Sequence, residues 1–179
     1  MFKKLNASFD ELKAVKGDHL YGRIGVQSEG KFMGIQYNNA VMHCNGLDRI
    51  LSKLPVDKFA VQYMSINTEV PPHVDEAVNT AINIYLNTGG YATTFHTEKE
   101  GANRQQLRNQ KGGYICAFRD VEEVCSFTAK DGDAYILDVT KLHSVHGGIG
   151  KERSAICINT TIPFSEVVEI LEEEIEFNS

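Results

Sequence analysis

Residues 59–161 form a series of short segments in which apolar side chains recur at every second position. The pattern is clearest in residues 80–87, where one face of an extended chain would carry apolar side chains and the other polar ones. The apolar face holds Ile82, Ile84 and Leu86, and the polar face holds Asn83, Tyr85 and Asn87. Because strand side chains alternate between two faces, this period of two predicts β-strands and excludes long helices in this part of the chain.

The predicted strands are short and numerous, and few helices accompany them. They cover residues 59–66, 80–87, 91–97, 114–118, 123–127, 134–139 and 153–161. Many short strands with few helices are typical of a β-sandwich or barrel. A double-sheet jelly roll is the all-β form that also serves small metal enzymes of the cupin type. The sequence therefore predicts a mainly β jelly roll.

The length of 179 residues fits a single domain, 1–179, which divides by pattern into three parts. Residues 1–58 form an α/β lead-in, with a helix expected over 6–15, a glycine-punctuated hairpin over 21–36 and a helix over 46–54. Residues 59–161 form the β core, and its polar segment 98–113 is expected to be a solvated loop or, alternatively, a lid. Residues 165–176 are expected to form an amphipathic helix with Ser165 as its N-cap.

Charge and cysteine usage limit the partners and the compartment. The formal net charge is −6 and basic residues form no run, which argues against nucleic acid as a partner. No apolar run approaches membrane-spanning length, and the first residues lack the apolar core of a signal peptide. The cysteines are Cys44, Cys116, Cys125 and Cys157, and their irregular spacing predicts reduced thiols in a cytoplasmic protein without a membrane partner.

The motif with the most chemical content is His73-Val74-Asp75. Two residues at this spacing on an extended chain point to the same side, so an imidazole and a carboxylate would face one ligand together. They supply two of the three ligands of the facial triad that binds non-haem Fe(II). A plain surface turn after Pro71-Pro72 is the alternative interpretation, and the downstream pair of His143 and Arg153 favours the metal.

Arg153 opens a strand whose two faces both need burial. Its neighbours on the same face are the small residues Ala155 and Cys157, followed by Asn159. A buried arginine is rarely left unpaired, and its guanidinium matches a carboxylate in shape. A bound carboxylate is therefore a natural partner, and a surface ion pair at the rim of the sheet is the alternative.

In the order of these motifs, the chain resembles members of the superfamily of 2-oxoglutarate- and Fe(II)-dependent dioxygenases, and most of all those of its prolyl-hydroxylase-like branch. The resemblance covers residues 59–161 and rests on His73-Val74-Asp75, Tyr85-Leu86-Asn87 with Gly89-Gly90, Leu142-His143-Ser144-Val145, and Arg153. It implies a double-stranded β-helix fold, with His73, Asp75 and His143 as iron ligands. It also implies Arg153 as the partner of the far carboxylate of 2-oxoglutarate, and Tyr85 as a hydrogen-bonding helper.

At one position this chain differs from the superfamily pattern, and at another a second histidine competes for the role of metal ligand. The superfamily often has serine or threonine two residues after the arginine, where this chain has Ala155. The missing contact to the keto acid is expected from Ser154, Thr93 or Asn83. His146 could rival His143 as the distal ligand, but the spacing of His143 to Val145 and Arg153 fits the superfamily better. The remaining histidines, which are His19, His43 and His96, are expected to be structural.

The resemblance implies an enzyme that uses dioxygen to oxidise a C–H bond, with release of succinate and CO2. The substrate would be a protein side chain or a small metabolite. Two alternatives remain open at the level of sequence: a cupin-like metalloprotein acting as an isomerase or hydrolase, and a ligand-binding jelly roll without chemistry. Arg153 and Tyr85 discriminate among them, because neither alternative needs a carboxylate clamp beside the metal.

Overall fold

The computed structural model describes residues 1–6, 9, 22–28, 31–39, 45–75, 77–106, 113–148 and 151–175. Residues 22–28 and 31–39 are described by their backbone alone. Most of the helix expected over residues 6–15 lies outside the described residues, as do residues 107–112 of the polar loop. Among the described residues, no helix is long and apolar enough to cross a membrane.

The described chain consists of strands with few helices. The strands are β1 (Phe2–Leu5), β2 (Gly22–Ser28), β3 (Lys31–Asn39), β4 (Phe59–Ile66), β5 (Val70–Val74), β6 (Thr80–Asn87), β7 (Ala92–Glu98), β8 (Gln105–Gln106), β9 (Tyr114–Ile115), β10 (Val121–Thr128), β11 (Ala134–Asp138), β12 (His143–His146) and β13 (Arg153–Thr160). The α-helices are α1 (Asn45–Lys53) and α2 (Phe164–Ile170). Short 3-10 turns cover Phe118–Asp120 and Glu172–Glu174.

These strands form two antiparallel sheets that face each other. The larger sheet has seven strands in the order β1-β11-β6-β13-β4-β3-β2, and the smaller has six in the order β10-β7-β12-β5-β9-β8. Strands β4 to β7, and again β10 to β13, alternate between the two sheets, as in a jelly roll. The lead-in joins this architecture, because β1, β2 and β3 form the two edges of the larger sheet. The mainly β fold predicted from the alternation is confirmed.

Two apolar clusters divide the larger sheet into its two faces. One cluster packs α1 and α2 against the outward face, through Ile82, Ile84, Ile156 and Ile158 among others. The other fills the space between the sheets and includes Tyr85, Phe95 and Ala155. Alternate residues of β6 and β13 therefore contribute to opposite layers, as their sequences predicted. The polar residues of the inward face line the cavity described below.

Two predicted elements were wrong in detail. The strand expected over residues 114–118 ends at Ile115, because the backbone N–H of Asp120 bonds to the carbonyl of Ala117 and closes a 3-10 turn. Ser165 does not cap the last helix. Pro163 occupies the cap position, and its carbonyl accepts the N–H of Val167 at 3.0 Å, so the helix begins at Phe164. The α-helix then ends at Ile170, short of the expected residue 176.

A candidate metal centre and its cavity

Two paired strands of the smaller sheet bring His73 and His143 together. β5 and β12 are antiparallel, and His73 lies directly opposite His143 in their register. The two ring centroids are 4.2 Å apart. Asp75 follows β5, and its backbone N–H bonds to the carbonyl of Val139 at 3.2 Å, which fixes the turn that carries the carboxylate.

Each of these three side chains offers a ligand atom, and the ligand atoms lie within 4.8 Å of one another. Within the described part of the chain, this is the only group of His, Cys, Asp or Glu residues with such geometry. His143 is buried, and His73 and Asp75 are half-buried. Two imidazoles and one carboxylate are borderline ligands suited to a first-row divalent metal. The His73, Asp75 and His143 group is a candidate metal centre.

Backbone carbonyl groups determine that Nδ1 of both imidazoles carries a hydrogen. His73 Nδ1 lies 2.8 Å from the carbonyl oxygen of Pro71, and His143 Nδ1 lies 2.9 Å from that of Lys141. A carbonyl oxygen only accepts hydrogen bonds, so Nδ1 of each ring is the protonated nitrogen and donates to it. The Nε2 lone pair of each ring is then left for a metal, in the arrangement common to metal-bound histidines.

Each of the three residues shifts the pKa of at least one of the other two. Burial and, after it, the neighbouring His73 lower the pKa of His143 to about 4. Burial also opposes charge on His73 and Asp75, but their mutual contact at 3.4 Å outweighs it. The pKa of His73 is therefore raised and that of Asp75 lowered. The site holds one carboxylate and one neutral imidazole near neutral pH, ready to bind a cation.

Two of these three residues, Asp75 and His143, line a cavity between the two sheets. Its walls are mostly apolar, with a few polar side chains among them. The polar lining consists of Asp75, Asn83, Thr93, His143, Arg153 and Asn159, and the apolar and thiol lining of Met64, Ile66, Ala81, Leu137, Val139, Val145 and Cys157. Asp75 and His143 thus share one cavity with Arg153, Asn83 and Thr93.

Arg153 is the second notable feature of this cavity. Its side chain is only 2% exposed, and its Nη2 donates hydrogen bonds of 2.8 Å to Tyr85 Oη and to Thr93 Oγ1. The guanidinium carbon lies 4.7 Å from the centroid of the Tyr85 ring. The Nε and Nη1 groups are buried and have no hydrogen-bond partner among the described residues. No carboxylate of the described residues forms an ion pair with this guanidinium, so its charge is uncompensated.

The residues considered in place of the missing serine or threonine fall on different sides of the sheet. Thr93 and Asn83 line the cavity, and the Oδ1 atom of Asn83 is buried with no hydrogen-bond partner in the described part of the chain. Ser154 lies on the opposite face of β13, where it contacts the hydroxyl of Tyr63. Thr93 and Asn83 are therefore in position to contact a cavity ligand, and Ser154 is not.

His146 lies on the outer face of the smaller sheet, away from His73. Its Nε2 lies 2.8 Å from Thr94 Oγ1, and His96 Nε2 lies 2.8 Å from Ser144 Oγ. Both rings meet the edge of Phe118. Because strand side chains alternate, the position of His143 inside the sandwich places Ser144 and His146 outside.

Tyr91 and Gly148 hold the loop that leads into Arg153. The Tyr91 hydroxyl donates to the carbonyl of Lys151 at 3.0 Å. A Cβ atom on Gly148 would collide with the Tyr91 ring, so only glycine allows this approach without rearrangement. This contact follows from the packing of two distant loops, and the sequence analysis did not identify it.

The sequence analysis also missed Gln62. Asn159 Nδ2 donates to Gln62 Oε1 at 3.1 Å across the β13–β4 pair. The alternation in β4 places Gln62 on the same face as Met64 and Ile66, which line the cavity. That alternation was available in the sequence, but a single glutamine in a strand gave no reason to assign it a role.

Comparisons with known proteins identify the fold. No family model matches the chain, and no curated protein matches it. Among solved structures, that of Escherichia coli ycfD is similar, with a TM-score of 0.52 and 16% identity, over 97% of this chain and 52% of that chain. The chain has a cupin-like jelly-roll fold. At this identity the similarity shows the fold alone, and the chain spans about half the length of the Escherichia coli protein.

Two further structures are similar at lower scores. AviO1 from Streptomyces viridochromogenes has a TM-score of 0.41 and 16% identity, over 86% of this chain and 77% of that chain. The vicilin from Corylus avellana has a TM-score of 0.40 and 12% identity, over 80% of this chain and 31% of that chain.

Proposed function

We propose that this protein is a 2-oxoglutarate- and Fe(II)-dependent dioxygenase of the prolyl-hydroxylase-like branch, which oxidises a C–H bond and releases succinate and CO2. The observation that carries the proposal is that one cavity is lined by Asp75 and His143 of the His-Asp-His ligand group and by a buried guanidinium with two unpaired donor nitrogens. A metal centre alone would not require Arg153, and a buried structural arginine would have a carboxylate partner.

The ligand group fits iron. His143 is neutral near neutral pH and presents an unprotonated Nε2, and Asp75 presents a carboxylate whose pKa is lowered. The pKa of His73 is raised by Asp75, so a bound metal would displace a proton from its Nε2. Two imidazoles and one carboxylate on one side of a metal leave open positions opposite them, as in the facial triad of non-haem Fe(II) oxygenases. Carbonyls of the chain orient both rings, so little rearrangement is needed for binding.

The polar end of the cavity fits a dicarboxylic keto acid. Arg153 Nε and Nη1 each keep an unpaired N–H donor, and either nitrogen can donate to a carboxylate oxygen in a charge-assisted hydrogen bond. Tyr85 and Thr93 hold Nη2 and thereby fix the plane of the guanidinium. The carboxylate would supply the charge that Arg153 lacks among the described residues, which removes the cost of a buried unpaired cation.

The chain's own residues would bind, orient and shield the reactants. When bound, iron would supply the activation of dioxygen, which is the oxidant, and 2-oxoglutarate would supply two of the electrons that dioxygen takes up. His73, Asp75 and His143 would hold the metal, and Arg153 would hold the far carboxylate with Tyr85 and Thr93 in support. Phe95 lies beside His143, with ring centroids 5.9 Å apart, and helps to exclude water from this part of the cavity.

The alternatives are less well supported by the cavity. An isomerase or hydrolase, or a ligand-binding jelly roll, would use the ligand group and leave the donors of Arg153 unexplained. The Escherichia coli neighbour is described as a ribosomal oxygenase, and its similarity to this chain concerns the fold. The proposal for this chain therefore rests on its own residues, and the scattered cysteines support the cytoplasm as the proposed location.

Succinate formation tests the proposal. The purified protein with Fe(II), ascorbate and 2-oxoglutarate should form succinate slowly in air, even without a primary substrate, because uncoupled turnover consumes the keto acid. Asp75→Ala should abolish this activity, and His146→Ala, on the outer face of the sheet, should retain it. A parent protein that forms no succinate over hours would favour the metalloprotein alternatives.

A further inference from the structure

The cavity has a closed end and an open end, and Asn159 marks the open one. Arg153 and Asn159 lie on the same face of β13, roughly 20 Å apart along the strand at about 3.3 Å per residue. Arg153 is 2% exposed, whereas Asn159 is half-buried. Asp75 lies near Asn159. In the larger sheet, Asn159 pairs with Ala81 of β6, and Ala81 pairs with Leu137 of β11. The backbone N–H of Asp75 bonds to the carbonyl of Val139, two residues after Leu137. The Asp75 side chain is 34% exposed, so solvent enters at this end.

The open end carries a pair of amides. Asn159 Nδ2 donates to Gln62 Oε1 at 3.1 Å, and both side chains are half-buried. Among the described residues, this is the only hydrogen bond that either amide makes with its side-chain atoms. The pair therefore leaves Asn159 Oδ1 as an acceptor and Gln62 Nε2 as a donor. If the oxygen and nitrogen of both amides were exchanged by a 180° flip, the pair would still have one free acceptor and one free donor.

Among the described residues, no charged group remains at this end to bind an ion. The cavity lining contains one cation, Arg153, and one carboxylate, Asp75, and both have a partner in the proposed function. The other polar groups of the lining near the metal are neutral, including the unpartnered Oδ1 of Asn83. A charged substrate group would lose its hydration here without compensation, whereas a neutral group with a donor and an acceptor would be satisfied.

We infer that Asn159 and Gln62 select the primary substrate by binding a carboxamide beside the metal centre. A carboxamide presents one C=O and one N–H side in a plane, which complements the free donor and acceptor of the amide pair. The identification of this group as substrate rests on the proposed function, but its binding can be measured without turnover. Asn159 and Gln62 would be specificity residues on the wall of the larger sheet, opposite the ligands of the smaller sheet.

Ligand-observed saturation-transfer NMR tests the inference with four probes of matched size: butyramide, methyl butyrate, butyrate and butanol. Uridine serves as a probe for a nucleobase edge. The full chain is measured without metal and with Zn(II). We expect butyramide to bind about 10-fold more tightly than methyl butyrate, because the ester lacks the donor and leaves a polar group of the site unpaired.

The variants assign the preference to the amide pair. Asn159→Leu and Gln62→Met should each remove the preference for butyramide, so that failure of one variant to fold leaves the other as a test. Asn67→Leu and Gln106→Met are matched controls at exposed positions, and both should keep the preference. Equal binding of amide and ester, tighter binding of butyrate, butanol or uridine, or an unchanged preference in both variants would overturn the inference.

The same samples separate this inference from the proposed function. A parent protein that prefers butyramide but binds neither Fe(II) nor 2-oxoglutarate would contradict the oxygenase and support carboxamide recognition. A parent protein that binds Fe(II) and 2-oxoglutarate but shows no preference for butyramide would support the oxygenase and overturn the role of Asn159 and Gln62.

Discussion

His73 and His143 face each other across the paired strands β5 and β12, with ring centroids 4.2 Å apart. Each ring donates its Nδ1–H to the carbonyl of the residue two positions earlier, Pro71 and Lys141 respectively. The same local arrangement is thus built twice, once on each strand, and it turns both Nε2 atoms toward the Asp75 carboxylate. This symmetry distinguishes His143 from His146, whose Nε2 is occupied by Thr94.

The first prediction separates the two histidines of β12. His143→Ala should remove Fe(II) binding, because a ligand is lost. His146→Ala should weaken it by no more than about 10-fold, at the low end of the losses seen for residues that support a ligand indirectly. Anaerobic titration with Fe(II) measures both affinities. A larger loss for His146→Ala than for His143→Ala would show that the distal ligand is misassigned.

The second prediction concerns Arg153. Arg153→Leu should weaken 2-oxoglutarate binding by roughly 30- to several-thousand-fold, since losing one partner of a desolvated charge pair costs about 2–5 kcal/mol. Fe(II) binding should not change. Arg153→Lys should restore only part of the affinity, because an ammonium lacks the paired fork. Calorimetric titration of the metal-loaded protein measures these affinities.

A matched control exists for this arginine. Arg104 pairs with Glu98 on the surface, where its Nη2 lies 2.7 Å from Glu98 Oε2, and Arg104→Leu removes the same charge outside the cavity. This variant should bind 2-oxoglutarate like the parent. Equal effects of the two substitutions would mean that net charge, and not a carboxylate clamp, governs binding.

The third prediction tests how the loop before Arg153 is held. Gly148→Ala should lower the free energy of unfolding by about 1–3 kcal/mol, the usual cost of overpacking, because the new Cβ meets the Tyr91 ring. Tyr91→Val should be destabilising by itself, since it removes a buried ring and the hydrogen bond to Lys151. The double variant should lose less than the sum of the two, because the collision is then relieved. Urea denaturation measures this coupling, and strictly additive losses would refute the contact.

The fourth prediction concerns pH and His96. Burial lowers the pKa of His96, although the Glu123 carboxylate partly opposes this and the nearby His146 adds to it. The unfolded chain therefore binds a proton at higher pH than the folded chain. Stability should be complete above the ordinary histidine value of about 6.5, and should fall as pH decreases through it toward the lowered folded value. Urea midpoints between pH 7.5 and 5 should fall less steeply for His96→Gln than for the parent, and equal slopes would contradict this origin.

Much of the fold was predictable from local patterns. The strands predicted over residues 59–66 and 80–87 coincide with β4 and β6, because each has an uninterrupted alternation and a turn at its end. The glycine-punctuated hairpin corresponds to β2 and β3. In contrast, the 3-10 turn at Phe118–Asp120 interrupts a sequence that looks like a strand, and it depends on a backbone hydrogen bond that no residue type specifies.

The residues of the candidate site were predictable by type, but their assembly was not. His73 and Asp75 share a face because of their spacing, whereas the approach of His143 depends on the pairing of β12 with β5. The contact of Arg153 with Thr93 joins the two sheets, and the pairing of Asn159 with Gln62 joins two strands that are distant in sequence. Such contacts follow from the strand order, which alternation within a single strand does not determine.

The most direct test of the central claim is the visible spectrum of the protein under anaerobic conditions. Addition of 2-oxoglutarate to the Fe(II)-loaded protein should produce the weak charge-transfer band of a chelated keto acid, and Asp75→Ala should not produce it. In Arg153→Leu, the same band should require a much higher concentration of 2-oxoglutarate. A parent protein that binds Fe(II) without any spectral response to 2-oxoglutarate would contradict the proposal that this cavity is the site of a keto-acid-dependent oxygenase.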